Sequence, residues 1–455
     1  MMRNRRTQEV KWAGTVLCVA LAWGGALAGQ VQTHESPAPA GHAITLDEAI
    51  RMAEANEPLF AAAAADARVT ALRKRDARAA MLPTATYHNQ VIYTQPNGQS
   101  NRIGQTSNEP SPVFIANNAV REYASQGVFT ETLGLGQVGA IRLADAGAAR
   151  AGAELEIARR GLVATVVELF YSVGAQADRL AVAQRALDEA DRFVQITGQR
   201  EAARDAAHAD VIKAQIAEQQ RTRELSEVKL AAEKARLELG VLLFANPGTV
   251  YELAAAGAPP MLPERAAVED AAGKNNAEMK SALASLQMAR ANSYSAKAAL
   301  MPELSMNVTY GVDAPQLAKN GPDGVKNLGY AGSATLDIPV WDWLTSERKI
   351  KASKILEGAA QTQVSATQRR MIANLQEFYA EAATAQAELG SLDRTVMDAR
   401  ESLRLTNLRY ASGDGTVFEV VDAQSTVITA ETAQLDGRVR YQLALAQLQT
   451  LTGSL

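Results

Sequence analysis

Two carboxylates, Glu419 and Asp422, follow a glycine-bearing turn, Ser412-Gly413-Asp414-Gly415-Thr416, at the start of a helical stretch. Three residues apart, they share one helix face. If copies of the chain close around an axis, each acid becomes a ring of like charge at the mouth of a tube, and such rings select cations. The same acids suit an ordinary helix start, where the dipole favours negative charge. The residues themselves leave both readings open. A second candidate, Gly134-Leu135-Gly136-Gln137-Val138-Gly139, spells the dinucleotide fingerprint and has Glu154 about 20 residues further on. The helix after it is several times too long for a βαβ unit, and the equivalent turn of the second repeat, Pro339-Val340-Trp341-Asp342, has no glycine. These glycines are expected to shape a strand-to-helix turn, with no cofactor. His34, His42, His88 and His208 lack metal-ligand spacing, and no nucleophile motif is evident, so neither metal nor catalysis is expected.

The ends and composition bound where such residues can work. Arg3, Arg5, Arg6 and Lys11 precede an apolar run from Trp12 to Leu27 that closes on Ala26-Leu27-Ala28. A basic region, an apolar core and a small-x-small site make residues 1–28 an export signal. Cys18, the one cysteine, lies inside it, so the processed chain has no thiol for a disulfide, nucleophile or metal. Removing the signal takes away four bases and Glu9, and the formal charge of −4 becomes more negative. An acidic exported protein is a poor partner for nucleic acid. No later segment offers about 18 consecutive apolar residues, so any membrane span must be built from strands in a closed barrel.

The elements that position Glu419 and Asp422 come in duplicate. Ala79-Ala80-Met81-Leu82-Pro83 returns as Ala298-Ala299-Leu300-Met301-Pro302. Val166, Val173, Leu180, Leu187 and Val194 return as Leu375, Ala382, Leu389, Val396 and Leu403, with a seven-residue spacing that lays an apolar stripe along a long helix. The spacing between copies shortens across the strands and loops. A flexible leader is expected over 29–44, repeat 1 over 45–244, a linker over 245–262 and repeat 2 over 263–455. Each repeat reads as a helix, a β-hairpin (about 83–133 and about 302–340), then a long helix and its return partner, the long helices spanning roughly 137–202 and 342–410. Thr45 and Glu48 form a capping box, and Asn56-Glu57-Pro58 breaks the first helix.

The hairpins alternate as membrane strands do. Leu304, Met306, Val308, Tyr310 and Val312 face one side, and Ser305, Asn307, Thr309 and Gly311 the other. Ala85, Tyr87, Val91 and Tyr93 repeat the pattern, as do Leu328, Tyr330, Ala334, Leu336 and Ile338; Tyr123 to Leu133 alternates poorly. Gly/Asn/Pro/Ser-rich segments, Pro96 to Asn118 and Asp313 to Asn327, read as surface loops. Four strands are too few for a barrel, whose smallest membrane forms use about eight, so an oligomer is required.

The doubled architecture, Arg-Tyr-x-x-Gly at 409–413 and Val420-Val421-Asp422-Ala423-Gln424 resemble the TolC-like outer-membrane efflux proteins over essentially the whole chain after the leader. That resemblance implies a mainly α fold with a transmembrane β-barrel: a homotrimer whose 12-stranded barrel, set in outer-membrane lipid, continues as a 12-helix α-barrel tunnel in the periplasm. It implies a passive exit duct of a tripartite efflux or type I secretion system, joined to an inner-membrane pump or transporter by a periplasmic adaptor (membrane fusion protein). It places periplasmic gate rings at Glu419 and Asp422, latch residues at Asp210 and Tyr410, and adaptor docking at the turn with Gly413 and Gly415. The sequence departs from the pattern where Gly415 replaces a base of the latch; Arg204 is a candidate substitute. Tip one, Arg200-Glu201-Ala202-Ala203-Arg204, lacks the usual glycine, and Lys213 stands opposite Asp422. The alternatives are a periplasmic adaptor, which would carry one helical hairpin inside small β domains, a structural coiled-coil protein, and more distantly an exported dinucleotide enzyme.

Overall fold

A computed structural model describes residues 43–93, 121–255, 257, 260–314, 317–320 and 326–454. The export signal over 1–28, nearly all of the 29–44 leader and most of the two loops lie outside these residues. The order is α1 (Leu46–Asn56), α2 (Pro58–Ala79), β1 (Thr84–Tyr93), β2 (Arg121–Leu133), α3 (Leu135–Ala202) and α4 (His208–Leu243), then α5 (Arg265–Asn275), α6 (Ala277–Ala298), β3 (Glu303–Ala314), β4 (Leu328–Asp337), α7 (Thr345–Ser412) and α8 (Val417–Thr452). The second six elements repeat the first six in kind and order. α3 and α7 have 68 residues each, α4 and α8 have 36 each; at 1.5 Å per residue the long pair are rods of about 100 Å.

Local chemistry explains the boundaries. Thr45 and Glu48 close the expected capping box, and Pro58 starts α2 at a position where its missing N–H costs nothing. Pro83 and Pro302 follow α2 and α6 and deliver the chain into strands. Gly139, the last glycine of the apparent nucleotide fingerprint, lies where any Cβ would collide with Ser295 of α6. It permits close packing of α3 on α6 from within the helix, and of the three glycines only Gly134, the N-cap of α3, stands at the strand-to-helix turn.

The strands form one antiparallel sheet in the order β1-β2-β3-β4. Its register puts Tyr87, Gly127, Tyr310 and Tyr330 in one row, and Ala85, Phe129, Val308 and Gly332 in the next on the same face. The weak alternation of β2 now has a cause. Ser125 and Glu131 fall on this apolar face, opposite Val312 and Met306. Tyr87 hydrogen-bonds the Ser125 hydroxyl at 2.9 Å, which bonds Asn89 at 2.9 Å, so that polar interruption is locally satisfied.

Below the sheet the two copies bury equivalent positions. Ala49 and Ala53 of α1 are fully buried against Val166, Phe170 and Leu239. In the second copy Val268 and Ala272 of α5 meet Leu375, Ala382 and Leu448. Each fully buried leucine or valine contributes about 1.5–3 kcal/mol, and small alanines let the short helices approach closely. The linker is held by Tyr251, whose hydroxyl donates to the Arg236 carbonyl at 2.8 Å, and by Tyr441, which donates to the Pro260 carbonyl at 2.8 Å.

The expected stripe needs one correction. In α7, Leu375, Ala382, Val396 and Leu403 are buried and Leu389 is half-buried. In α3 only Val166 and Val173 are buried; Leu180, Leu187 and Val194 are half-buried. The buried face there passes through Val182, Ala190, Phe193 and Thr197. A straight 3.6-residue helix drifts from a seven-residue repeat, so α3 turns a neighbouring row toward the second coil.

Candidate functional site

The tips of the two helical hairpins carry the expected site residues. Tip two is built around its glycines. Gly413 adopts φ +89° at the C-cap of α7, the left-handed conformation that glycine reaches without steric cost. A Cβ on Gly415 would approach the Tyr410 amide nitrogen to 2.9 Å, so the turn closes only over a hydrogen. Thr416 then caps α8. Its hydroxyl accepts from the Glu419 N–H at 3.3 Å, while Glu419 Oε2 accepts from the Thr416 N–H at 3.2 Å. Arg409 stands 3.7 Å from the same carboxylate. Glu419 is thus a half-buried acid engaged in capping its own helix. Asp422 is exposed and has no ion pair among the described residues.

Tip one does the same work without glycine. The turn 203–207 is one residue longer than 413–416, and Arg204 takes the left-handed corner with φ +68°. Arg204 therefore serves as the strained corner, and the cation that meets the expected latch tyrosine is Arg200. The Arg200 guanidinium lies 4.7 Å from the Tyr410 ring centroid and donates to the Tyr410 carbonyl. The Tyr410 hydroxyl, itself buried, donates to Thr197 Oγ1 at 3.2 Å, and its ring packs 5.1 Å from Phe193. Tyr410 accordingly ties α7 to α3, joining the two coils inside one chain. Asp210 is not part of this contact. It pairs with Lys213 at 3.7 Å on its own helix. Because α4 and α8 start in register, Asp210 is the counterpart of Glu419 and Lys213 that of Asp422. The acid pair is doubled in the second copy and neutralised in the first.

Sequence reasoning missed Thr197, Arg200 and a deeper ionic clamp. Glu431 of α8 is buried, with 7 % of its surface exposed, and accepts from Arg400 Nε of α7 at 2.8 Å and from Arg185 Nη2 of α3 at 3.2 Å. The clamp joins three helices about 18 Å above Glu419. A signal for it exists: Val417, Gln424 and Glu431 fall every seven residues, so polar side chains occupy an otherwise buried seam. Nearby, Glu189 is held above the usual carboxylate range by partial desolvation and by the Glu431 charge, against Arg192 and Arg185.

The arrangement has a two-helix tip with exposed acid, an aromatic lock and a buried clamp, carried on rods that end in a two-faced sheet. Comparison with known proteins agrees with that architecture. Residues 269–454 match the family described as outer membrane efflux protein. Outer membrane protein OprJ of Pseudomonas aeruginosa is 24% identical over 303 residues, 64% of this chain; the match spans 61% of OprJ. Among solved structures, the outer membrane protein VceC of Vibrio cholerae superposes with a TM-score of 0.76 at 16% identity, covering 90% of this chain and 96% of that one. The outer-membrane channel OprN superposes with a TM-score of 0.75 at 17% identity, covering 90% and 89%. Residues 269–454 carry the match to the outer membrane efflux proteins, and the described chain shares the fold of the outer-membrane channel OprN and the outer membrane protein VceC.

Proposed function

We propose that three copies of this chain close their sheets into a 12-stranded barrel in the outer membrane, continued by a 12-helix tunnel in the periplasm. The assembly is the passive exit duct of a tripartite efflux or type I secretion system. The observation that carries this reading is the sheet. It has an apolar and a polar face, and among the described residues β1 and β4 leave free edges that run in opposite directions. Open edges do not persist in lipid, since each unpaired backbone group there costs several kcal/mol; antiparallel pairing of β4 with β1 of a neighbour removes both. No described helix is long and apolar enough to cross a membrane.

The helices support the same closure. α4 lies against α3, α3 against α8 and α8 against α7, so α4 and α7 are the ends of the row. α4 leaves Ile216, Leu230 and Leu237 exposed at multiples of seven residues, and α7 leaves Met397, Leu405 and Leu408 exposed. Those are seams awaiting a second copy. The names of OprJ, OprN and VceC place those proteins in the outer membrane, which accords with this location.

In this duct Glu419 and Asp422 form the periplasmic gate, Tyr410 the lock between coils, and the turns with Gly413 and Gly415 the adaptor contact. Transport energy comes from an inner-membrane pump. The test is the native mass of detergent-extracted protein from separated outer membranes, followed by bilayer recording. Three times the protomer mass is expected, with cation selectivity that weakens in Glu419→Gln with Asp422→Asn. A soluble periplasmic monomer would overturn the duct, and unchanged ion selectivity would remove the gate assignment.

A further inference from the structure

The junction between β4 and α7 holds apolar bulk in the open. Val340 is 88 %, Trp341 69 % and Trp343 76 % exposed, in line with the exposed Leu336 and Ile338 that continue the apolar face of β4. The two indoles pack edge to face with centroids 5.9 Å apart. Trp343 and Leu344 both adopt left-handed backbone, φ 56° and 61°, where a side chain is strained. Local bonds hold this shape: Asp342 Oδ2 accepts from the Ser346 N–H at 2.7 Å, and Arg348 Nη2 donates to the Trp343 carbonyl at 2.7 Å.

Directly after the hook, α7 carries Arg348, Lys349, Lys351 and Lys354, all exposed, against one acid, Glu347, which pairs with Lys351 at 2.7 Å. Lys349 and Lys354 have no ion pair among the described residues. Arg348 borders the first turn and the lysines lie beyond it, so cations gather on one exposed stretch with a single acid, Glu347, to balance them. An anionic partner balances the remaining charge. The first copy has no such device: at the offset that equates Val166 with Leu375, Gly134, Gly139 and Ala140 stand at the positions of Trp343, Arg348 and Lys349, and only Arg142 matches a base, Lys351.

We propose that the Trp341–Trp343 hook and the basic first turns of α7 form a docking site for anionic phospholipid headgroups of the periplasm-facing leaflet. Indoles settle at the boundary between hydrocarbon and headgroup, and lysines just beyond them reach phosphate. Two observations name the occupant: the hook continues the apolar strand face, and the charge below it is complementary to an acidic leaflet. The inference rests on the barrel reading, and it adds three anchors that fix the depth of the assembly in the membrane.

The protein supplies its own probe. Trp12 and Trp23 lie in the expected export signal, so the processed chain has tryptophan only at 341 and 343. The experiment uses detergent-purified protein, checked by mass for loss of residues 1–28, reconstituted into vesicles of phosphatidylcholine with or without phosphatidylglycerol. Bromine near the carbonyl end of the acyl chains should quench the indole emission more strongly than bromine near the methyl end. Each cation contributes about fivefold to affinity for an acidic surface, so Lys349→Gln/Lys351→Gln/Lys354→Gln should lose about a hundredfold of the preference for bound phosphatidylglycerol, read by native mass spectrometry. Flotation with vesicles and unquenched tryptophan would overturn the anchor while leaving the barrel intact. Failure to float would overturn the barrel and the anchor with it. A triple variant that falls to monomers with unaltered lipid preference would assign the lysines to the seam between copies, and would overturn the proposal.

Discussion

The Glu431 clamp makes an ordering prediction that simple contact counting would miss. The acid is buried, with 9 % of its side chain exposed, whereas Arg185 and Arg400 are each 58 % exposed. When Glu431→Gln removes the charge, both arginines relax into solvent and an amide still accepts one hydrogen bond. The loss is that of a partly screened ion pair, about 1 kcal/mol. When Arg185→Gln and Arg400→Gln are combined, the carboxylate stays buried with no cation. Leaving a buried charge without its partner costs about 3–5 kcal/mol, and the open side of the site reduces this to about 2–4 kcal/mol. The cations should therefore matter more than the acid they hold, although each variant breaks the same contacts. Hydrogen exchange of α8 amides around 425–437 reads the local opening free energy. Since about 1.4 kcal/mol is tenfold, exchange should quicken about fivefold in the glutamine variant and about thirtyfold to a thousandfold in the double arginine variant. Equal acceleration in the two, or a larger one for Glu431→Gln, would refute the picture of a desolvated acid held by exposed cations.

Two further predictions concern the same region. Arg204→Gly should stabilise tip one: a left-handed non-glycine costs about 1–2 kcal/mol, a glycine loses about 0.5–1 kcal/mol to chain entropy, and a net gain of about 0.5–1 kcal/mol should appear as slower exchange across 199–211. Loss of stability there would mean that the arginine side chain does more than turn the corner. Glu189, whose pKa is raised in the fold by partial desolvation and by Glu431, binds protons more tightly folded than unfolded. Its contribution is favourable in acid and is lost as pH rises through the carboxylate range. Glu189→Gln should therefore be more stable than the parent at neutral pH and indistinguishable in acid; thermal unfolding at both pH values checks this, and a gain confined to acid would contradict it.

Much of this protein is written in local chemistry. Thr45 with Glu48, Pro58, Pro83 and Pro302 mark helix starts and stops through hydrogen-bond and steric rules that act within a few residues, and the structure places those elements where the residues predict them. Period-two alternation announced β1, β3 and β4, because successive side chains of a strand must face opposite sides. β2 was faint because Ser125 and Glu131 sit on its apolar face, and the interruption at Ser125 makes sense only once Tyr87 and Asn89 of the next strand bond it. The tip glycines, the acids Glu419 and Asp422 and the match of Lys213 to Asp422 were legible as residues, whereas Asp210 read as a latch residue and not as the first-copy counterpart of Glu419. What met what at the tips was not. Whether Tyr410 would find Asp210 or Thr197, whether Arg204 or Arg200 would supply the cation, and which charges Glu431 would hold depend on how α3 rotates against α7 and α8 over many turns. A seven-residue pattern sets a seam to within a row of side chains. The small drift of a 3.6-residue helix across 68 residues then decides which row is buried, and only the packed helices determine that sum.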